Sequence, residues 1–513
     1  MANVLQYLIR SAERFPDKCA VTDDVCSYTY AEFCHLTRAI GSGLLPLTRP
    51  RQAVGVYLPK NAQAVAAFFG IQWAGCFYSV LNTELPGNRL RQIAQTLAPA
   101  VIVTCEALLP QAKEIFPICP LVCLETLAGQ AVDAEALASV QARAIDTDPL
   151  YVNFTSGSTG VPKGCMLEYG NITAFCHWYK KYYQVDHSSK IAAYASFGFD
   201  ASMMDIYGAI ANGAELHIIP EEIRLDFIAL QRYFEENGVT HSFMTTQVGR
   251  QFAMEMSCES LQYLSIGGEK LVPMEPPKDY RFFNAYGPTE CTIFTTVFEV
   301  DKYYSNIPIG KALDNFKLYI TDKFGHLLPY GACGELMISG WQVSRGYLNK
   351  PEKTAEVYTR NIYDDTEGYE VLYHSGDVAR YLPDGNIQII GRKDSQVKVR
   401  GFRIELSEVE EVIRRYEGIK DATVVAFDDP NGGGKYIAAY VVSDGQVDIN
   451  KLNDFIKETK PPYMVPAVTM QIDKIPLNQN QKVNKKALPV PERKIEEIIE
   501  PKNETQQKLF DCI

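Results

Sequence analysis

The stretch FTSGSTGVPKGCMLEY, residues 154–169, decides the fold. Its front half crowds Thr155, Ser156, Ser158 and Thr159 together with Gly157, Gly160 and Gly164 around one cation, Lys163. Glycines let backbone N–H groups turn toward a ligand, hydroxyls add donors and the lysine adds a point charge, so these are parts for holding phosphate. A P-loop needs Gly-x4-Gly-Lys-Ser/Thr opening directly into a helix. Here Pro162 precedes the lysine, Gly164 follows it, and the next residues read as a strand. A helix is predicted to begin only near Asn171, as its N-cap. The loop therefore joins two strands, and the P-loop architecture is excluded. Ser/Thr/Gly clusters are also ordinary linker composition, so the stretch taken alone leaves a solvated surface loop open.

Outward from that loop, the first 300 or so residues alternate β-branched runs with amphipathic helical stretches. VGVYLP, AVIVTC, ELHIIP and LQYLSIGG read as buried strands, and their spacing implies βα units around largely parallel sheets. From about Pro308 the pattern changes to hairpins, with turn signals at Asp-Lys-Phe-Gly and Pro-Asp-Gly-Asn. After Arg392 a helix is predicted over SEVEEVIRRYEG, with Ser407 and Glu410 as a capping box and Gly418 as its stop. Two strands follow, joined through Pro-Asn-Gly-Gly-Gly, and then a helix over DINKLNDFIKETK that ends at Pro461 and Pro462. No internal repeat interrupts this plan.

Composition bounds the function. The 513 residues suggest roughly three structural units. Hydrophobic content of 46% with 22% charged residues is that of a folded globular chain, and the net charge of -12 argues against nucleic acid or a membrane surface as partner. No apolar run approaches the roughly 20 residues needed to span a bilayer. The opening MANVLQYLIRSAERF has an amphipathic helical period unlike that of a signal peptide, so the expected compartment is the cytoplasm. The 13 cysteines are scattered. Cys119 and Cys123 come nearest a metal pattern but have no histidine nearby, which favours buried free thiols.

Four further stretches give the loop its context: NAYGPTE (284–290), YHSGD (373–377), GRKDSQVKVRGFRIELSEVE (391–410) and the lysine of NQKVNKKALP. With these, in this order from about residue 10 to 490, the chain resembles the adenylate-forming superfamily and within it the adenylation domains of nonribosomal peptide synthetases. The resemblance implies an α/β fold. A large N-terminal domain over 1–393 would hold two α/β sheet subdomains and a small β-barrel-like subdomain (about 305–393), followed by a small mobile α+β domain over 394–492. It also implies two half-reactions. A carboxylate and MgATP give an acyl-AMP and pyrophosphate; a phosphopantetheine thiol then takes the acyl group.

Under the same resemblance, Lys163 and Lys482 are catalytic, with Thr289 on phosphate and Glu290 on Mg²⁺, a hard cation suited to carboxylate oxygen. Nucleotide contacts fall to Thr155, Ser156, Gly157, Ser158, Thr159, Gly160, Gly268, Glu269, Asn284, Tyr286, Gly287, Asp377 and Arg392. Among these, Tyr286 would stack on adenine and Asp377 would hold the ribose hydroxyls. Lys482 stands in Asn480-Gln481-Lys482, where the family has a glycine before the lysine. Asp394 matches the hinge, and Gly401 the loop glycine that the pantetheine arm passes.

Asp200 matches the aspartate that pairs with a substrate α-ammonium, which favours an α-amino acid. The other pocket positions map to Phe199, Ala201, Met204, Phe243, Ser265, Gly267, Ala285, Ile293 and Phe294. None of these can pair with a charged side chain, and a buried unpaired ion is costly, so the expected substrate is neutral and apolar. Residues 493–513 resemble a linker and the first helix of a carrier domain. That implies a downstream carrier partner in cis, with the excised piece expected to be monomeric.

Overall fold

A computed structural model of the chain describes residues 3–156, 162–394, 396–429, 434–476 and 483–491. Two sheets dominate the large domain. One has six strands, in the order Leu121–Cys123, Val101–Thr104, Ala53–Val56, Phe77–Val80, Pro149–Thr155 and Lys163–Glu168. All neighbouring pairs in it are parallel except the last, which is antiparallel with Phe154 opposite Gly164. The stretch is therefore flanked by two paired strands, as the sequence reading expects.

The helix after Lys163–Glu168 starts at Tyr169, earlier than expected, with Glu168 as N-cap residue. Asn171 sits one turn in, and its side chain accepts from the Glu168 backbone N–H at 2.8 Å as the second half of a capping box. Its own amide reaches on to the Trp341 carbonyl at 2.8 Å.

The second sheet has nine strands. Its parallel centre runs Arg281–Tyr286, Tyr263–Gly267, His241–Thr245, Lys190–Ala193 and Glu215–Ile218. A single core of aromatic and branched side chains continues from one large sheet to the other and on to the β subdomain. That subdomain is an antiparallel sheet of Phe316–Thr321, Gly334–Gly340, Val371–Tyr381 and Tyr358–Arg360, with Ile387–Arg392 paired to the long third strand.

Strand pairing changes partner between Arg392 and Gln396. Gln396–Val399 and Phe402–Glu405 form a hairpin, and a three-stranded sheet of Ile419–Asp428, Lys435–Ser443 and Val468–Gln471 follows with its own core. The helix Leu406–Arg414 starts straight from the hairpin, so Ser407 lies inside it and Glu405 stands at the N-cap position. The capping box expected at Ser407 and Glu410 is absent, because Glu410 accepts from the Val424 backbone N–H at 2.9 Å instead. Asp448 caps the next helix, Ile449–Lys457, which stops short of the expected end at Pro461 and Pro462.

Among the described residues every cysteine is free, no cluster of three or more metal-ligating side chains occurs, and no helix is long and apolar enough to cross a membrane.

Candidate active site at the domain boundary

The ends of the central strands of the nine-stranded sheet and the hairpin 396–405 enclose a cavity of about 600 Å³. Its floor comes from the large domain. Phe199 and Asp200 precede the helix Ala201–Asn212, while Phe243, Gly267 and Ala285 come from three adjacent parallel strands. Ile293 and Phe294 follow a turn in which Thr292 and Ile293 take positive φ. Phe243 and Phe294 lie 5.6 Å apart between ring centroids, and a Cβ on Gly267 would meet the Ala285 carbonyl at 2.8 Å, so the strand leaves no room for a side chain at that position.

Asp200 is buried and accepts from the Thr289 hydroxyl. Burial raises its carboxyl, while the Thr289 hydrogen bond and the Lys398 charge work in the other direction. Two expected pocket positions turn away. Ser265 donates to the Tyr183 hydroxyl at 2.8 Å, and Met204 packs in the core; neither lines the cavity.

At the other end, the Tyr286 hydroxyl donates to Asp377 Oδ2 at 2.5 Å and Arg392 donates to Asp377 Oδ1 at 2.8 Å. Arg392 also forks onto Asp394 at 2.8 and 2.7 Å, which ties the expected hinge residue to the β subdomain. Glu290 is fully buried between the two ends. Tyr347 donates to its Oε1 at 2.6 Å, Lys163 Nζ stands 3.8 Å from the same oxygen, and Arg403 Nη1 reaches both oxygens at 3.2 and 3.1 Å. Burial alone would raise the Glu290 carboxyl, but Arg403, then Lys163 and Tyr347, outweigh it and bring it down to about 2. Lys163 is itself lowered by burial and by Arg403.

Other expected nucleotide residues have particular partners. The Ser156 hydroxyl donates to the Arg403 carbonyl at 2.7 Å, and the buried Thr155 hydroxyl finds no partner among the described residues. Glu269 accepts from the Gly401 N–H at 2.9 Å and from Gln247 at 3.0 Å, which places it at the domain boundary. Asn284 donates to the Pro308 carbonyl at 2.9 Å and so braces the β subdomain. Gly287 and Gly268 mark close approaches, since a Cβ on Gly287 would meet the Ile293 carbonyl at 2.2 Å and one on Gly268 would meet Gly401 Cα at 3.1 Å. Gly157, Ser158, Thr159, Gly160 and Lys482 lie outside the described residues.

The ceiling holds what sequence reasoning missed. Lys398 and Arg403 are opposite each other across the hairpin, which turns tightly through Arg400 and Gly401, both at positive φ. Lys398 Nζ lies 5.8 Å from the Tyr286 ring centroid. Burial lowers its ammonium, as do Arg403 and Arg392, while Asp377 and Asp200 draw it back up. Like charges directly opposite on a hairpin repel unless acids face them. The spacing Lys-Val-Arg-Gly-Phe-Arg around a two-residue turn carried that signal, because it sets two cations side by side and so calls for an acidic receiving surface. Phe402, between them, stacks on Tyr463 at 3.9 Å and meets Phe199 edge-on at 5.9 Å.

Comparison with known proteins identifies the family. Residues 8–348 match the family "AMP-binding enzyme" and residues 408–482 match "AMP-binding enzyme C-terminal domain". The chain is 37% identical to bacitracin synthase 1 of Bacillus licheniformis over 98% of its own length, and spans 10% of that synthase. An artificially fused adenylation–carrier (PCP) di-domain from Klebsiella oxytoca superposes with a TM-score of 0.78 at 21% identity, over 91% of this chain and 93% of that one. A four-domain nonribosomal peptide synthetase bound to AMP and glycine superposes at 0.70 with 27% identity, over 96% of this chain and 36% of that one. The chain belongs to the AMP-binding enzymes and, within them, to the adenylation domains of nonribosomal peptide synthetases.

Proposed function

We propose that this domain activates a neutral apolar α-amino acid with MgATP and passes it to a phosphopantetheine thiol on a carrier domain of the same chain. In the first step a substrate carboxylate oxygen attacks the α-phosphorus of ATP, and pyrophosphate leaves with the electrons of the broken P–O bond. In the second the thiolate sulfur attacks the acyl carbon, and AMP leaves. The carrying observation is Asp200: a buried carboxylate at the edge of an otherwise apolar floor, where an α-ammonium finds its counter-ion and a side chain finds Phe243, Gly267 and Phe294.

At the other end, Asp377 with Tyr286 and Arg392 offers acceptors and an aromatic face for a ribose and base. Lys163 and the loop before it suit the departing pyrophosphate, where cations and aligned donors strengthen as charge develops. Glu290 fits a divalent cation: its carboxylate is buried, its oxygens already attract a guanidinium, and Mg²⁺ is commonly held by one or two carboxylates plus substrate phosphates. The metal would draw charge from the phosphates there. The orientation described, with Gly401 against Gly268 at the cavity mouth, suits the thiol step, and Lys482 would serve adenylate formation from the other orientation.

Isotope exchange between pyrophosphate and ATP over an amino-acid panel tests the reading. Valine, leucine, isoleucine, methionine or phenylalanine is expected to lead, with close homologues within about 10–200-fold because a methylene is worth only about 1–3 kcal/mol. Efficient activation of aspartate, glutamate, lysine or arginine would overturn the pocket assignment. In the same assay Lys482→Ala is expected to cost on the order of 10²–10³ in rate, as for loss of one strong transition-state donor. An unchanged rate would remove Lys482 from the mechanism.

A further inference from the structure

Within the large domain, an acid and a base meet through one hydroxyl. Tyr347 donates to Glu290 Oε1 at 2.6 Å and accepts from Lys163 Nζ at 3.3 Å. Chemistry fixes both directions, because an ammonium only donates and an ionised carboxylate only accepts. Lys163 Nζ and Glu290 Oε1 themselves stand 3.8 Å apart, too far for a hydrogen bond. Burial, and then the Glu290 charge, hold the Tyr347 phenol well above its ordinary value, so it stays a neutral donor. The backbone fixes the ring. Tyr347 bridges to Cys165 on the strand Lys163–Glu168, its N–H donates to the Thr354 hydroxyl at 3.0 Å, and the Leu348 N–H donates to the Gly164 carbonyl at 2.8 Å. Lys163 Nζ also lies 4.9 Å from the ring centroid, so the ring and the hydroxyl both engage the ammonium.

We propose that Tyr347 is a positioning residue for adenylate formation: its hydroxyl spaces Lys163 from Glu290 and so keeps the ammonium's charge for the departing pyrophosphate. The proposal rests on reading Lys163 as the pyrophosphate cation. Opposite charges attract more strongly as they are buried, and the Lys163 and Glu290 side chains are only 15% and 0% exposed. The lysine stem is flexible, whereas the tyrosine is held by its strand. Without the hydroxyl, the ammonium closes the gap and pairs directly with the carboxylate. A cation neutralised in that way stabilises less of the charge that develops on a leaving group. With the hydroxyl present, one of the ammonium's donors goes to a neutral oxygen, and Glu290 receives its hydrogen bond from a group that carries no charge. Tyr347 is not among the residues lining the cavity, so it acts through Lys163 and not by touching the amino acid.

The test uses the full chain and pyrophosphate–ATP exchange with the amino acid that leads the panel. Tyr347→Phe keeps the ring and removes the hydroxyl. It is expected to lower kcat about 10-fold, part of the loss for one strong transition-state donor, while the amino-acid KM stays within about twofold. A crystal structure of that variant is expected to show Lys163 Nζ closing to about 2.8 Å from Glu290, the length of a charge-assisted hydrogen bond. Tyr347→4-aminophenylalanine guards against a folding defect: the amine fills the same space and still donates to Glu290, but it is a poor acceptor for Lys163. It is expected to slow exchange as Tyr347→Phe does, and a wild-type rate would overturn the proposal. A double-mutant cycle supplies the readout that a merely structural role would not move. In a Lys163→Met background, Tyr347→Phe is expected to cost no more than about a further twofold, and losses that multiply would show that Tyr347 does not act through the lysine. Lys163→Met at the wild-type rate would remove the reading of Lys163 itself. A slow Lys163→Met beside a Tyr347→Phe of unchanged rate would remove only the spacing role.

Discussion

Glu290 and Glu408 are both fully buried where the two domains meet, and each receives an arginine from the opposite domain. They differ in which domain supplies the nearest cation. Both Glu290 oxygens are engaged, but its strongest partner, Arg403, belongs to the other domain, and its own-domain cation Lys163 stands back at 3.8 Å. Glu408 holds its own-domain cation closely, with Lys460 Nζ at 2.5 Å, and takes Arg89 of the large domain at 2.7 Å through the same oxygen. Its second oxygen has no hydrogen-bond partner among the described residues. The first carboxylate therefore takes its nearest cation from the other domain. The second is paired within its own domain by Lys460 and takes Arg89 as an additional partner.

The largest effect that would break this comparison is on stability. Glu408→Gln removes the counter-ion of two buried cations at once, and removing one partner of a buried pair costs about 3–5 kcal/mol. The urea midpoint of the small domain is expected to fall accordingly. A loss below about 1 kcal/mol, the range of exposed ion pairs, would show that water already reaches the cluster.

A second difference appears with pH. Glu290 is held down to about 2 in the folded chain, below an unfolded carboxyl near 4.3. Because the folded value is the lower one, its stabilisation is complete above about pH 4.3 and is lost as the pH falls toward 2. Integrated over that window the loss is at most about 3 kcal/mol. Urea midpoints between pH 6 and 3 are expected to fall more steeply in wild type than in Glu290→Gln. Parallel curves would mean that the carboxylate exchanges protons as freely as in the unfolded chain.

The pairings within the two clusters were not legible in the sequence, although Lys163 and Glu290 themselves were expected site residues, whereas the floor of the cavity was largely reached through the family resemblance. Asp200, Phe243, Gly267, Ala285, Ile293 and Phe294 were reached through the resemblance to the family's motifs, and all six line the cavity. Side-chain destinations were harder. Ser265 stands where expected but spends its hydroxyl on Tyr183, Asn284 braces Pro308, and Glu269 serves Gly401, because each partner lies far off in the chain or in another domain. Arg89 and Glu408 are 319 residues apart, and nothing in either local pattern announces the other. The same holds for Asn171, whose partner Trp341 becomes a neighbour only once the β subdomain packs.

The smallest effect expected is the most selective. Arg89 lies on the helix Gly87–Leu97 of the large domain and touches Glu408 of the small domain in the orientation described. Arg89→Gln leaves the Glu408–Lys460 pair intact, so the small domain keeps its internal charge balance and little stability is lost. What goes is one of the charged contacts that hold the docked state, together with the desolvated cation that would otherwise return to water on separation. Charge-assisted hydrogen bonds contribute about 1.5–3 kcal/mol, and here the regained hydration of the arginine is absent from the other side of the balance. Docking is therefore expected to weaken by about 10-fold, the equivalent of about 1.4 kcal/mol. Transfer of the aminoacyl group to a carrier thiol should slow by that factor, while pyrophosphate exchange, which uses the other orientation, stays within about twofold. Equal slowing of both half-reactions would place Arg89 in the general scaffold of the large domain. Slowing of exchange alone would reverse the assignment of the two orientations.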